Sequence, residues 1–224
     1  MVGKRKYDDR CAVAHALDLV GERWALLVVR ELLLGPKRFT DLLAGVRGAS
    51  PDLLTQRLRE LTESGLVRRR RLGPPAAAWV YELTSWGAEL GPVVVGLARW
   101  ASRSPGMRYD APLGTDSAVL SLQALFDSAA AAGVDATIAL RLGEEQFRLR
   151  IVDCQLEVTR DETGRPDATI DTDPTTLLSL LRTNRPLDGV LTTGELRLVG
   201  DRTLVDKFRR LFRTPQPVPA TERT

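Results

Sequence analysis

The side chains that could act on another molecule are few and unevenly placed. His15 is the single histidine, and Cys11 and Cys154 are the two cysteines. No His/Cys cluster therefore offers metal-ligand spacing, and the second half of the chain has no imidazole for acid–base work. No phosphate-binding glycine loop and no G-x-S-x-G elbow occurs, so the expectation is a protein that is not an enzyme and has no cofactor or metal. What the chain does offer is hydrogen-bonding groups. Ser50, Asp52, Thr55, Gln56 and Arg59 fall on one short segment, and Arg68, Arg69, Arg70 and Arg71 follow it. Hydroxyl, amide and guanidinium groups in such a row can reach base edges and phosphates, and each phosphate neutralised by an arginine releases counterions. The plain alternative is a solvated surface, where Thr, Gln and Arg are common.

The elements that must hold these groups can be read from their neighbours. Ser50 suits an N-cap, Pro51 the first helical position and Asp52 the positive end of the helix dipole, while Gly65 ends the run. At about 100° per residue, Leu54, Leu58 and Leu61 share one face; Asp52, Gln56 and Arg59 take the opposite one, with Thr55 on the flank. A short amphipathic stretch over 39–43, closed by Gly45, comes just before, which gives a helix-turn-helix order. Leu66 and Val67 lead into the four arginines, then Gly73, Pro74 and Pro75, then the alternation of Trp79, Tyr81 and Leu83. Two strands and a tip in that place make a wing. Residues 11–20 and 23–34 read as earlier helices, the second stopped at Gly35-Pro36. Residues 86–101 read as one helix with an apolar stripe of Leu90, Val93, Val94, Leu97 and Trp100, suited to a core or a dimer contact.

A chain of 224 residues is one large domain or two small ones. Its 43% hydrophobic and 27% charged content is that of a globular protein. The charge is asymmetric: residues 1–112 hold 18 Lys/Arg and 12 Asp/Glu, and the remainder 14 and 17, so the first half is basic and the second acidic. A Ser/Pro/Gly-rich stretch at 102–115 separates them. No apolar run approaches the ~18 residues of a spanning helix. Lys4, Arg5 and Lys6 are followed by Asp8 and Asp9 rather than by an apolar stretch, so the expectation is a cytoplasmic protein without a secretory signal or membrane contact.

Cys11 at a helix start, ALDLVGERW (16–24), LLLGPKRFTDL (32–42), LLTQRLRELTESGLVRR (53–69) and VYELTSWG (80–87) occur in order. Together, over residues 7–102, they resemble the HxlR-type winged helix-turn-helix regulators. The resemblance implies a homodimer on pseudo-palindromic double-stranded operator DNA, joined through its N-terminal helices and the helix after the wing. It departs at Cys11-Ala12, where such regulators usually carry Cys-Pro. Some relatives sense electrophiles or oxidants at this cysteine. A helix N-terminus stabilises a thiolate, and His15 lies one turn on, whereas Asp8 and Asp9 oppose the charge. The alternative is a buried cysteine acting as a small hydrophobe.

In the second half, 118–132 reads as a helix and 136–142, 146–152 and 155–159 as strands, with Phe147, Leu149 and Ile151 on one face. A strand over 167–171, a helix from Asp173-Pro174 bearing Leu177, Leu178, Leu180 and Leu181, a strand over 194–199 and a helix from Asp201 to Phe212 complete an α+β order. Cys154 reads as an exposed turn residue. ATIDTDPTTLLSLL (168–181) and GELRLVGDRTLVDKFRRLF (194–212) resemble the sterol carrier protein type-two fold. That resemblance implies a helix-covered sheet around an apolar cavity. Phe126, Phe147, Leu149, Leu178 and Leu181 are the candidate ligand contacts, although most such side chains must be core.

The expectation is thus a mainly α winged helix-turn-helix domain for DNA binding and dimerisation (1–102), a linker (103–115), an α+β sterol-carrier-like domain (116–213) and a flexible tail (214–224). The function expected is a transcriptional regulator whose operator binding responds to a hydrophobic small molecule. A redox switch at Cys11 and a lipid carrier without operator recognition are the competing functions.

Overall fold

The computed structural model describes residues 7–160, 164–182, 185–214 and 216–219; Lys4, Arg5, Lys6 and residues 220–224 of the expected tail lie outside them. The chain forms two compact units, Met1–Val94 and Val95–Thr224. No helix among the described residues is long and apolar enough to cross a membrane.

In the first unit, α1 (Ala12–Val20), α2 (Ala25–Leu32) and α3 (Phe39–Gly45) lead to α4 (Pro51–Glu63), and the antiparallel strands β1 (Val67–Arg71) and β2 (Trp79–Leu83) form the wing. The ends of α4 follow from its sequence. Ser50 Oγ accepts the Leu53 N–H at 3.3 Å, Pro51 opens the helix, and Gly65, at φ +73°, turns the chain out in a conformation that glycine adopts without strain. Leu54, Leu58 and Leu61 are buried with Val28, Val29, Leu32, Leu42 and Val46. Burial of one such leucine is worth about 1.5–3 kcal/mol, and it fixes which face of α4 stays outside. Lys37 exchanges two backbone hydrogen bonds with Tyr81, at 3.0 and 2.8 Å, and so adds a short edge to the wing.

The helix expected over 86–101 is broken. Thr84 Oγ1 caps α5 (Ser85–Ala88) by accepting the Gly87 N–H at 3.0 Å, and α6 (Gly91–Ala101) starts afresh at Gly91-Pro92. Proline has no N–H to donate inside a helix, but its ring fits the first turn, so the break falls there. The boundary between the two units lies within α6.

The second unit comprises α7 (Thr115–Leu125), β3 (Ala136–Leu142), β4 (Glu145–Val152), β5 (Gln155–Thr159), β6 (Ala168–Thr172), α8 (Pro174–Arg182), α9 (Leu187–Thr192), β7 (Leu196–Gly200) and α10 (Arg202–Arg209). Its sheet has the order β5-β4-β3-β6-β7, with β3 and β6 parallel and the other neighbours antiparallel. The strands alternate as a half-buried sheet must: Ile138, Leu140, Phe147, Leu149, Ile151 and Ile170 are buried. Leucines of α7 and α8 and Phe208 of α10 are buried as well, which is the α+β arrangement expected.

Two helices are shorter than the sequence suggests, for one reason. The helix expected to reach 132 ends at Leu125, and the one expected to reach Phe212 ends at Arg209. Asp127 donates its N–H to the Leu211 carbonyl at 2.8 Å and Arg213 donates to that of Leu125 at 3.0 Å. These bonds pull both chain ends out of helix and pair Phe126 with Phe212, whose rings meet edge-on at 6.0 Å. The helix α9 was not anticipated; its six residues are too few for a periodic signal. Cys154 is half-buried rather than exposed. With Asp153 it adopts positive φ, +60° and +48°, in the two-residue turn between β4 and β5. Within 103–115, Tyr109 donates its hydroxyl to the Ser102 carbonyl at 2.7 Å and lies under the Arg182 guanidinium. Near the chain end, Arg103 Nε donates to the Gln216 carbonyl at 3.3 Å and the Val218 N–H to the Arg103 carbonyl at 2.9 Å.

Candidate nucleic-acid interface

With its leucines sealed inside, α4 presents Asp52, Thr55, Gln56 and Arg59 to solvent. Thr55, Gln56 and Arg59 are each oriented by their own helix. Thr55 Oγ1 donates to the Pro51 carbonyl at 2.8 Å, which leaves its oxygen free to accept. Gln56 Nε2 donates to Glu60 Oε1 at 3.0 Å. Arg59 stands 3.7 Å from Glu63, and both side chains are about two-thirds exposed, so water screens the pair and the guanidinium is readily redirected. Ser50 is committed to its cap. The row can therefore offer an amide, a hydroxyl and a guanidinium to a groove, which is the chemistry of base-edge contact.

Two buried charges hold this surface in place, and sequence inspection missed both. Arg57 is buried on α4 and pairs with Glu60 at 2.6 Å and with Glu22, in the α1–α2 connection, at 3.6 Å. The helical rotation that gathers the leucines puts Arg57 only about 40° from Leu61, so its burial was readable. Glu31, 3% exposed, accepts from Arg30 Nη2 at 2.7 Å and Lys37 Nζ at 2.6 Å. Arg30 Nη2 also donates to the Gly45 carbonyl at 3.2 Å. A Cβ on Gly45 would lie 2.1 Å from the Glu31 carboxylate, so a larger residue there would have to displace that carboxylate from its partners. One carboxylate thus ties α2, the end of α3 and the wing edge together.

In the wing the four arginines alternate. Arg68 Nε donates to Glu82 Oε1 at 2.8 Å and Arg70 Nε to Glu82 Oε2 at 2.6 Å. Burial alone would raise the Glu82 pKa, but the hydrogen bonds and charges of Arg70 and Arg68 outweigh it and hold the carboxyl below its ordinary value. Arg69 points the other way, its guanidinium 4.6 Å from the Trp79 ring centroid and 5.9 Å from that of Tyr81. Arg71 faces Trp79 in the strand register.

Cys11 stands at the N-cap of α1 and is exposed in the single chain. The nearby Ala14 and Val13 N–H groups of the first turn favour the thiolate and lower its pKa. Asp9 is turned to the backbone, accepting the Cys11 N–H at 3.0 Å. Of the five residues named for a ligand, Phe147 and Leu149 are fully buried in the sheet, Leu181 is buried on α8 and Leu178 is half-buried there. Phe126, half-buried, instead lines an open cleft of about 390 Å³ with Ala124, Leu125, Arg99, Arg103 and Arg213. Among the described residues no group of three or more His, Cys, Asp or Glu side chains is placed to hold a metal.

Residues 19–107 match the family described as HxlR-like helix-turn-helix. The HTH-type transcriptional regulator sll1512 of Synechocystis sp. is 35% identical over 92 residues, covering 41% of this chain and 68% of that protein. This chain belongs to the HxlR-like helix-turn-helix regulators. YodB of Bacillus subtilis, another HTH-type transcriptional regulator, is 33% identical over 88 residues, 39% of this chain and 79% of its own length. The solved structure of reduced YodB matches 44% of this chain and 97% of its own at 30% identity and a TM-score of 0.39. Residues 118–218 match a second family, alkyl sulfatase C-terminal. For this half the match is to that family and not specifically to sterol carrier proteins. The sec-alkylsulfatase Pisa1 of Pseudomonas sp. is 20% identical with a TM-score of 0.44; the overlap is 47% of this chain and 17% of the enzyme.

Proposed function

We propose that the chain is an operator-binding regulator that works as a homodimer and whose sterol-carrier-like second half, over about 116–213, takes a hydrophobic small molecule that modulates DNA binding. The observation that carries the DNA reading is the exposed row Thr55, Gln56 and Arg59 set on a sealed leucine face beside an arginine-bearing wing. Dimerisation is supported by α6, which buries no residue of its own. Val93, Leu97 and Trp100 recur there at helical spacing and are exposed, Trp100 by 73%. Val13 and Leu17 are exposed one turn apart on α1. Apolar surface of that kind is normally covered by a partner. Two recognition helices related by a two-fold axis read half-sites about 34–36 Å apart.

The effector reading rests on the cleft at Phe126, where a half-buried ring is reachable between the charged side chains of Arg99, Arg103, Asp127 and Arg213, while Phe147 and Leu149 are sealed in the core. Binding rather than catalysis is the role assigned to this half. An effector shifts DNA binding only by the difference between its affinities for the DNA-competent and incompetent forms. The deciding experiment is salt-dependent, sequence-selective DNA binding by a chain whose mass in solution is that of a dimer. A monomer indifferent to DNA sequence would leave the lipid-carrier function in its place. One observation favours a second trigger: the exposed, pKa-lowered thiol of Cys11. Release of DNA by mild peroxide in the native chain, abolished in Cys11→Ser, would move the sensor there.

A further inference from the structure

Four consecutive arginines look like one basic patch, yet strand geometry sends them to opposite faces. Arg68 and Arg70 share a face with Glu82, and each of its carboxylate oxygens is occupied by one Nε. The Glu82 side chain is 12% exposed, while those of Arg68 and Arg70 are 66% and 43% exposed. The carboxylate is therefore sheltered, solvent screens the arginine side in part, and Arg70 is the more tightly held. Three charges on that face sum to a single positive one. On the other face no carboxylate lies within ion-pair distance of Arg69 or Arg71 among the described residues, and the register sets them opposite Tyr81 and Trp79. Stacking on an aromatic ring covers the flat face of a guanidinium but leaves its N–H edges open. Arg69 is therefore held in place without being neutralised, which lowers the ordering cost of a later contact.

We propose that the wing arginines are two devices: Arg69 and Arg71, backed by Trp79, form the face that neutralises DNA phosphates, while Glu82 withholds Arg68 and Arg70 and so sets how many phosphates the wing engages. The proposal rests on the DNA-binding reading above and specifies which wing residues carry it. Trp79 is a positioning residue, acting through Arg69. Glu82 acts by charge, and its removal frees two guanidinium groups at once.

The test is the affinity of the full chain for a mixed-sequence duplex, measured by fluorescence anisotropy over a series of salt concentrations. Removing one arginine from a phosphate flattens the slope of log K against log salt by about 0.9. Arg69→Gln and Arg71→Gln are each expected to flatten it by that amount, and Arg68→Gln and Arg70→Gln by clearly less. Glu82→Gln is expected to steepen it, and Trp79→Leu to weaken binding with Arg69 present but not in Arg69→Gln. Equal flattening by all four arginine variants would overturn the division. So would an unchanged slope in Glu82→Gln, provided its thermal unfolding matches that of the native chain. The arginine set decides the matter even if Glu82→Gln folds poorly. A native chain with no salt-dependent binding would instead overturn the DNA reading on which the division stands.

Discussion

In the N-terminal unit the residues offered to a partner are those left outside once α4 has buried Leu54, Leu58 and Leu61. In the C-terminal unit two of the residues singled out for a ligand, Phe147 and Leu149, are themselves the core. The contrast is physical. A recognition helix shows its function as the complement of its packing face, and both faces are written in one period. A cavity wall and a solid core are built from the same apolar residues on the same strand alternation, so pattern alone does not separate them.

The sharpest way to break this comparison is Phe147→Ala. Its ring is buried, with the Arg160 guanidinium 4.7 Å from the centroid. As a core residue it should cost about 3–5 kcal/mol. Hydrogen exchange would show the loss in β3 and β4, with the N-terminal unit unchanged. A ring lining a ligand site would leave protection nearly intact and change only the response to effector.

A comparable experiment on the other side is Glu31→Gln. Removing one partner of a buried ion pair costs about 3–5 kcal/mol, and the part-exposed Arg30 and Lys37 place this case near the lower end. Faster exchange at the Lys37 and Tyr81 amides is expected, because the carboxylate anchors that edge of the wing. Undiminished protection there would mean that the backbone pairing holds the wing without it.

These two residues also mark where the sequence stops being legible. The helix-turn-helix, the wing and all five strands of the sheet follow from caps, turn residues and alternation, each of which acts over a few neighbours. Glu31 was unreadable because Arg30 and Lys37 converge on it only once α2, α3 and the wing edge have packed, and a charge on an apolar helix ordinarily faces water. The ends of α7 and α10 were unreadable for the same reason: the hydrogen bonds that stop them join Leu125 to Arg213 and Asp127 to Leu211, far apart in the chain. Arg57 lay within reach, since only its helical angle was needed. The split of the wing arginines was likewise implicit in strand alternation once Glu82 was placed opposite Arg68.

A smaller effect sharpens the N-terminal half of the comparison. Gln56→Ala or Arg59→Ala should cost about 1–3 kcal/mol on the cognate operator and relax specificity at the base contacted. Folding should be unaffected, because both side chains are exposed. Competition between cognate and random duplex measures it, and an equal loss on both would return these residues to an ordinary solvated face.

The smallest effect belongs to the surface of the C-terminal unit. Glu195 accepts from Arg185 through both oxygens, at 2.6 and 2.7 Å, and from Thr193 at 2.7 Å. The Arg185 hydrogen bonds, then that of Thr193, lower its pKa from 4.5 to about 2. A carboxyl whose pKa is lower in the folded state stabilises that state above its unfolded value and ceases to do so as pH falls through the folded one. The contribution is therefore complete above pH 4.5 and is lost on the way down to about 2. Both side chains are partly exposed, so salt should weaken it as well. Acid titration of thermal stability, followed in the C-terminal unit, is expected to show a limb in that window that Glu195→Gln flattens, while the acid response of the N-terminal unit stays as it was. An unflattened limb would assign the acid sensitivity of this unit to carboxylates other than Glu195.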